Sequence, residues 1–270
     1  MKVWNLINDP SPLEGSLNMA IDDYLFQSLA KKPETYVRFY QWKRPTVSLG
    51  YSQRVENVVN LDFCRMHNVD LVRRITGGKL VLHHREITYS IVSADKDTFT
   101  TTLAKSYRLI SEALIVGLKK MGLEARLAKT PPLAYVKDNL PCFSHPARDE
   151  VEVGGLKIIG SAQKRAGAKF LQHGSIPLEG EESLLRSVSL SGKECEMRAT
   201  SLSHELRRTV DPGWAVGNLV EGIGQFFRVG FVEKIFSDEE RAEILGIQKG
   251  RYENEAWTGR PSPGSRVDFS

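Results

Sequence analysis

A cysteine and a lysine in the C-terminal half carry residue types suited to nucleophilic chemistry at a carbonyl. Cys142 lies in the polar segment Asn-Leu-Pro-Cys-Phe-Ser-His-Pro, residues 139–146, and its thiolate would be nucleophilic if a cation or N–H dipole lowered its pKa. Lys157 lies between Leu156 and Ile158 in a strand-like run, where an inward-facing ammonium could stabilise negative charge on a carbonyl oxygen. The alternatives are an inert small thiol and a solvent-facing lysine.

A glycine-rich turn with flanking charges is the second candidate feature. Residues 73–84 read Arg-Arg-Ile-Thr-Gly-Gly-Lys-Leu-Val-Leu-His-His. Gly77 and Gly78 let the backbone approach a ligand, and their N–H groups could hold an oxyanion or carbonyl oxygen, although an ordinary hairpin turn is the alternative. His83 and His84 are adjacent on a strand and point to opposite faces, so they cannot readily share a metal ion.

Composition narrows the class of protein. The chain has 270 residues, 26% of them charged, and 37 Lys and Arg against 33 Asp and Glu give a net charge of +4. These values favour a folded domain over disorder, and the charge is too small and dispersed for a nucleic-acid binder. The three cysteines form no C-x-x-C pair, so no zinc or redox dithiol site is predicted. Without a signal sequence or membrane span, we expect a cytoplasmic protein.

Hydrophobic periodicity predicts an α+β pattern. Ser16–Leu29 has helical spacing, with Asp22 and Asp23 available for the solvent face, and Thr101–Met121 is a long amphipathic helix. Shorter helices are expected in Glu182–Phe227 and at Ser237–Leu245. The predicted strands, short runs rich in β-branched or aromatic residues, are Tyr36–Tyr40, Thr46–Gly50, Val69–Arg74, Lys79–His83, Ile87–Ser93, Val151–Val153, Leu156–Ala162 and Lys169–Pro177.

The chain has room for one catalytic domain. We place that domain at residues 1–250, because too little sequence follows Arg228 for a second one. The last 20 residues, 251–270, include Trp257 and a Pro-Ser-Pro-Gly run and are predicted to be a loosely held tail.

Taken in order, the motifs resemble the lipoate-protein ligase and octanoyltransferase superfamily, which is related to biotin protein ligases. The residues that carry the resemblance are Ser16–Asp22, Arg38, Pro45–Gly50, Arg73–Gly78 with His83, Gly155–Gln163 and Gln172–Ser175. Within the superfamily, residues 141–176 are most similar to the LipM-type octanoyltransferases, in which the nucleophilic cysteine precedes the motif lysine by the separation of Cys142 and Lys157.

The resemblance implies a fold and a set of site residues. The implied fold is α+β, with mixed β-sheets flanked by helices, as in the biotin and lipoate protein ligase catalytic domain. Cys142 would be the nucleophile and Lys157 the residue that binds the substrate carbonyl. The implied substrate-binding residues are Arg73, Gly77, Gly78, His83, Gly160, Ser161, Ala162, His173 and Gly174.

The resemblance also implies a reaction. An octanoyl group would pass from acyl carrier protein to a lysine of a lipoyl domain or of the glycine-cleavage H protein, without ATP, metal or other cofactor. His84 stands where the family often has Asp, and Lys79 where Arg or Gly is usual. Three alternatives stay open: an ATP-dependent lipoate-protein ligase, an amidotransferase that takes octanoate from H protein, and a catalytically silent binding protein.

Overall fold

The computed structural model describes residues 1–9, 11–99, 102–128, 149–191 and 198–259. Short strands alternate with helices through these ranges. In chain order the elements are β1 (Lys2–Asn8), α1 (Gly15–Ser28), β2 (Thr35–Tyr40), β3 (Thr46–Leu49), α2 (Val55–Val58), α3 (Leu61–Met66), β4 (Asp70–Arg73), β5 (Val81–His83), β6 (Glu86–Ser93), α4 (Leu103–Lys120), β7 (Ala125–Leu127), β8 (Val151–Val153), β9 (Leu156–Ala166), β10 (Lys169–Pro177), α5 (Glu182–Val188), α6 (Leu202–Leu206), α7 (Pro212–Phe227), β11 (Val229–Glu233), α8 (Asp238–Ile247), a π-helical turn (Gln248–Tyr252) and α9 (Glu255–Thr258).

Two sheets organise the described chain. The larger has the strand order β11-β1-β2-β6-β10-β9-β8-β7, and the smaller has the order β4-β3-β5. In the larger sheet β1 runs parallel to β2 and β11, whereas β2, β6, β10, β9, β8 and β7 pair antiparallel in succession. This arrangement, with helices packed on the strands, confirms the predicted α+β fold of mixed sheets.

The larger sheet is buried on both faces. The alternating direction of the side chains along its strands explains this burial. In β2, Val37 and Phe39 join the hydrophobic cluster that contains α4 and α7, whereas Tyr36 and Tyr40 join the cluster that contains α1. Successive side chains of a strand point to opposite faces, so each face receives its own helical layer. Burial on both sides explains why β2 and β6 are buried at every position.

The predicted elements are largely confirmed, and the differences have physical causes. Val151–Val153 and Lys169–Pro177 form strands with the predicted bounds. Gly154 and Gly155 both have positive φ, 58° and 86°, as a two-residue hairpin turn requires. Strands β1, β7 and β11 were not predicted. Each lies at or next to an edge of the larger sheet and has few buried side chains, so its hydrophobic pattern is weak.

The prediction that Asp22 and Asp23 face solvent is wrong. Both residues lie on α1 and are 1% and 2% exposed. Asp22 accepts hydrogen bonds from Arg38 and Tyr40, and Asp23 accepts one from Tyr252. The helical pattern of a sequence places charged residues on the solvent-exposed face. It cannot predict their burial, because the buried partners lie elsewhere in the chain.

The described part of the predicted tail, residues 251–259, is packed rather than loosely held. Tyr252 is 3% exposed, and the indole N–H of Trp257 donates to the backbone oxygen of Arg73 over 2.8 Å. The Arg73 guanidinium in turn donates to the backbone oxygens of Trp257 and Thr258. Residues 260–270 lie outside the described ranges, and the domain boundary at residue 250 stays a prediction.

Candidate active site

A narrow cleft lies where α1 and the larger sheet meet the smaller sheet. Strands β2, β3, β5, β6, β9 and β10 contribute to its walls, together with the turn that follows β4. The unfilled space is about 30 Å³, which is about the share of liquid volume of one water molecule. The residues that line the cleft are Met19, Tyr40, Trp42, Ser48, Arg74, Gly78, Val81, His83, Thr88, Gly160, Ser161, Ala162, His173, Gly174 and Ser175.

Most of the predicted substrate-binding residues meet in this cleft. Those that line it are Gly78, His83, Gly160, Ser161, Ala162, His173 and Gly174. Arg73, Gly77 and Lys157 are not among the lining residues. Cys142 lies in the stretch 129–148, outside the described residues. The structure thus brings together residues that are up to 96 positions apart in the sequence, from Gly78 to Gly174.

The two adjacent arginines of the motif point to different places. Arg73 is fully buried and donates to the backbone oxygens of Gly50 and Gln53, as well as to the C-terminal segment. Arg74 lines the cleft instead, and its guanidinium donates to the backbone oxygens of Gly77 and Lys79 over 2.9 and 2.7 Å. Arg74 therefore shapes the glycine-rich turn from the cleft side, whereas Arg73, the predicted substrate-binding residue, is not among the residues that line the cleft.

His83 is oriented by a buried carboxylate. Its Nδ1 lies 2.8 Å from Glu86 Oε1 and its Nε2 lies 2.7 Å from Ser48 Oγ. The Ser48 hydroxyl also accepts from Arg74, so the imidazole, the hydroxyl and the guanidinium form one hydrogen-bonded network. The imidazole ring stacks on Trp42 with a centroid distance of 4.0 Å. His83 is fixed on every side in this structure.

His173 forms a second buried pair with a carboxylate. Its Nδ1 lies 3.1 Å from Asp22 Oδ2, and its Nε2 lies 2.7 Å from Thr76 Oγ1. Burial lowers the pKa of His173 below its ordinary value, outweighing the opposite effect of Asp22. Burial also acts to raise the pKa of Asp22, but the hydrogen bond from His173 and the charge of Arg38 lower it overall. The pair is a neutral imidazole bound to a carboxylate.

Close backbone contacts explain two of the glycines at the cleft. A Cβ on Gly50 would lie 1.9 Å from the backbone oxygen of Gly78, so the loop after β3 touches the glycine-rich turn directly. A Cβ on Gly174 would lie 2.6 Å from Ser161 Oγ and from Tyr89 Cε1. Any side chain at either position would push the walls of the cleft apart.

Lys157 is inward-facing, as the carbonyl-binding hypothesis requires. The residue is 0% exposed, and its Nζ donates to Glu150 Oε1 over 2.8 Å. Both backbone polar groups of Lys157 are hydrogen-bonded: its N–H donates to the carbonyl of Arg198, and its carbonyl accepts from the N–H of Thr200. The ammonium would have to exchange its contact with Glu150 for a substrate oxygen in order to act on it.

Several residues of the cleft network were missed at the sequence level. Arg74, Ser48 and Trp42 line the cleft, and Asp22 and Glu86 orient its histidines. The Arg73-Arg74 pair was visible in the sequence, but strand register decides which of two neighbours faces inward. Glu86 follows His83 by three positions, which was the local signal available for that pair.

The polar side chains at the cleft can position a substrate through hydrogen bonds. Within the described residues no group of three or more His, Cys, Asp or Glu side chains has the arrangement of a metal site. The described thiol of Cys64 is buried, and burial raises its pKa, so it is a poor nucleophile. The helices in the described ranges are too short or too polar to cross a membrane.

The fold and the cleft define the class of protein: an α+β domain of the lipoate protein ligase type. The family model described as "Lipoyl protein ligase A/B catalytic domain" matches residues 14–223. The chain belongs to this family. The matched range includes the cleft, Lys157 and the position of Cys142.

Curated relatives and solved structures extend the comparison. The octanoyltransferase LipM of Clostridioides difficile is 36% identical over 271 residues, which cover 95% of this chain and 98% of the relative. The octanoyltransferase LipM of Carboxydothermus hydrogenoformans is 34% identical over 274 residues, 96% of this chain and 100% of the relative. Both of these relatives, which match over nearly their full length, are named octanoyltransferase LipM.

Solved structures support the fold. A lipoate-protein ligase A bound with ATP superposes with a TM-score of 0.81 at 21% identity, covering 96% of this chain and 99% of the other. A bi-partite lipoate protein ligase from Thermoplasma acidophilum gives a TM-score of 0.80 at 21% identity, covering 98% and 100%. At this level of identity the likeness concerns the fold alone.

Proposed function

We propose that this protein is an octanoyltransferase of protein lipoylation. It moves an octanoyl group from acyl carrier protein to a lysine of a lipoyl domain or of glycine-cleavage H protein, through an acyl-enzyme on Cys142. The observation that carries the proposal is the similarity to octanoyltransferases LipM over 95% of this chain and 98% of the relative. The reaction takes place in the cytoplasm and needs no nucleotide.

The reaction proceeds by two acyl transfers. The Cys142 thiolate attacks the carbonyl carbon of the octanoyl thioester, the new C–S bond forms, and the carrier thiolate leaves and takes up a proton. The neutral amine of the acceptor lysine then attacks the acyl-enzyme. The C–N bond forms, the C–S bond to Cys142 breaks, and the amine loses a proton to a base or to solvent. The first step exchanges one thioester for another, and the second yields a more stable amide.

Lys157 supports the proposal through its burial. An ammonium that is 0% exposed interacts strongly with charge that develops nearby, because little water screens it. We assign it to the oxyanion that forms at the carbonyl in both steps. The contact with Glu150 holds the ammonium in place before substrate arrives.

The cleft is the proposed site of the acyl chain. Its walls include the apolar side chains of Met19, Trp42 and Val81, and burial of a chain contributes about 0.8 kcal/mol per CH₂. The free space of about 30 Å³ is too small for eight carbons. Binding of the chain therefore requires the walls to separate, and the unbranched side chain of Met19 is suited to such adjustment.

Intact-mass analysis tests the proposal. Purified protein is incubated with octanoyl-acyl carrier protein without nucleotide, and the mass is expected to rise by one octanoyl group that localises to Cys142. Cys142→Ala should form no adduct and should abolish transfer, while its unfolding midpoint stays that of the parent. Cys64→Ala, at the buried thiol, is the matched control and should leave adduct formation intact.

The alternatives predict different results in the same assay. A ligase would form octanoyl-protein product only when ATP and free octanoate are supplied, and Cys142→Ala would retain activity. An amidotransferase would acylate Cys142 from octanoyl-H protein but not from the carrier protein. A silent binding protein would form no adduct with either donor. Any of these outcomes contradicts the proposed function.

A further inference from the structure

A second cavity lies beside the cleft, on the far side of Ser175. It has a volume of about 380 Å³, which is the size of a small-molecule site. Ser175 lines both cavities. We call it the acidic cavity, and its lining residues are Leu82, His84, Arg85, Glu86, Leu156, Ser175, Pro177, Glu179, Gly180, Glu181, Glu182, Leu185, Ala199, Thr200, Ser201 and His204.

The acidic cavity is joined to Lys157 through the backbone. Leu156 precedes Lys157 in β9, and the Thr200 N–H donates to the Lys157 carbonyl over 2.9 Å. Leu156 and Thr200 both line the cavity. A molecule in the acidic cavity would therefore adjoin the backbone of the strand segment that carries Lys157 and, across Ser175, the acyl-chain cleft.

The charges of the lining are unbalanced. Among the described residues that line the cavity, Glu86, Glu179, Glu181 and Glu182 contribute carboxylates and Arg85 contributes a guanidinium. Arg85 forms ion pairs with Glu179 and Glu181, His84 Nδ1 lies 2.9 Å from Glu181 Oε1, and Glu182 pairs with Arg186 outside the lining. Glu86 is 4% exposed and accepts hydrogen bonds from His83, Thr88 and Ser175. The remaining excess of negative charge disfavours an anionic occupant such as a nucleotide and favours a cation.

The cavity also has an apolar floor. Leu82, Leu156, Pro177, Leu185 and Ala199 contribute side chains without polar atoms. An occupant that matches both features has a slender aliphatic stem and one positive end. The side chain of lysine has this form, with four methylene groups and a compact ammonium.

We propose that the acidic cavity receives the target lysine of the acceptor domain before it attacks the acyl-enzyme. This inference rests on the proposed function and adds a separate binding site for the second substrate. The carboxylates attract the lysine as its ammonium, and the apolar floor holds its stem. The amine then loses one proton before attack, and the imidazoles of His84 and His204 line the cavity as the bases proposed to take it.

A double variant that neutralises two carboxylates of the cavity tests the proposal through the KM for the acceptor domain. Glu179 and Glu182 have side chains 44% and 57% exposed, so Glu179→Gln/Glu182→Gln should fold normally. We expect the KM for the acceptor domain to rise about fivefold, since two partly exposed ion pairs contribute about a factor of two to three each. The rate of acyl-enzyme formation from octanoyl-acyl carrier protein should not change. Glu221→Gln, a 68% exposed carboxylate on α7, is the matched control.

Hydroxylamine supplies an uncharged probe of the same step. It is a neutral nucleophile at neutral pH and cleaves thioesters, so it should release the octanoyl group from parent and double variant at the same rate. A slower reaction with hydroxylamine would show that the substitutions damage the acyl-enzyme itself and would overturn the proposal. A fall in the acylation rate with an unchanged acceptor KM would assign the cavity to the donor's prosthetic arm, which also overturns it.

A binding measurement separates this inference from the proposed function. Calorimetry with an acceptor domain and with its target Lys→Gln variant needs no chemistry. The parent protein should bind the lysine domain about fivefold more tightly, and the double variant should bind both domains equally. Equal binding by the parent protein would refute the cavity as the lysine site. Failure to form an acyl-enzyme, with this difference intact, would refute the proposed function alone.

Discussion

The carboxylate of Asp22 holds three strands to α1. It accepts from Arg38 and Tyr40 on β2, from Ser90 on β6, and pairs with His173 on β10. A buried carboxylate with so many donors is satisfied, whereas loss of any one donor leaves part of its charge uncompensated. The position of His173 at the cleft is therefore set in part by Asp22, Arg38 and Ser90, which are not among the residues that line the cleft.

The histidine of this pair makes stability depend on pH. Because burial lowers the pKa of His173 in the folded protein, the unfolded chain binds a proton more readily between that value and the ordinary pKa of about 6.5. Stability should therefore fall as the pH is lowered through this window and should be constant above it. Urea unfolding at pH 5 to 8 should show a weaker dependence for His173→Asn than for the parent. His204→Asn, at a 74% exposed side chain, should retain the parental dependence; equal slopes for all three proteins would contradict the prediction.

The Lys157–Glu150 pair allows chemistry to be separated from folding. Lys157→Met removes the ammonium from a carboxylate that is 4% exposed, and breaking a buried ion pair costs about 3–5 kcal/mol. Adding Glu150→Gln should restore much of this stability, because no buried charge is then left behind. Octanoyl transfer should stay about 10²–10³-fold reduced in both variants. Denaturant titration and single-turnover transfer provide the two measurements; recovery of transfer together with stability would show that Lys157 acts only in folding.

At the scale of elements, the cleft depends on contacts between loops that sequence patterns do not encode. Periodicity and β-propensity predicted α1, α4 and the central strands, because those elements bury a regular face. The family resemblance predicted seven of the fifteen described residues that line the cleft. The pattern did not predict which arginine of the pair faces the cleft, nor that the C-terminal segment packs against Arg73. Both depend on strand register and on distant partners.

Gly50 and Gly77 provide a test of the loop contact. Gly50→Ala places a Cβ 1.9 Å from the backbone oxygen of Gly78, whereas a Cβ on Gly77 meets nothing within 4 Å. We expect Gly50→Ala to cost about 1–3 kcal/mol in unfolding free energy and to impair transfer, because the glycine-rich turn must move. Gly77→Ala should stay within about 0.5 kcal/mol of the parent. Thermal unfolding and transfer assays of the two variants check this, and a tolerated Gly50→Ala would mean that the turn is free to move.

At the scale of the whole molecule, the net charge of the chain and the charge of the described lining of the acidic cavity have opposite signs. The chain as a whole carries a net charge of +4, whereas the acidic cavity is locally negative. A mildly basic surface suits acidic carrier and lipoyl domains, and a negative cavity suits the lysine that such a domain presents. Under the proposed function, long-range attraction would act on the acceptor domain as a whole and local recognition on its lysine. Salt would affect the two unequally, because screening is strongest between exposed charges.

The charge of the surface predicts how salt affects the donor. The kcat/KM for octanoyl-acyl carrier protein should fall about threefold or more between 0.05 and 0.3 M NaCl, with kcat nearly unchanged, because salt screens encounter between opposite charges. Octanoyl-pantetheine is uncharged and has no protein part that could dock, so its kcat/KM should not change with salt. Initial rates over the salt series with both donors make the comparison. A parallel decline for the two donors would assign the effect to the active site rather than to the protein surface, and an unchanged kcat/KM for the carrier protein would mean that the net positive charge takes no part in docking.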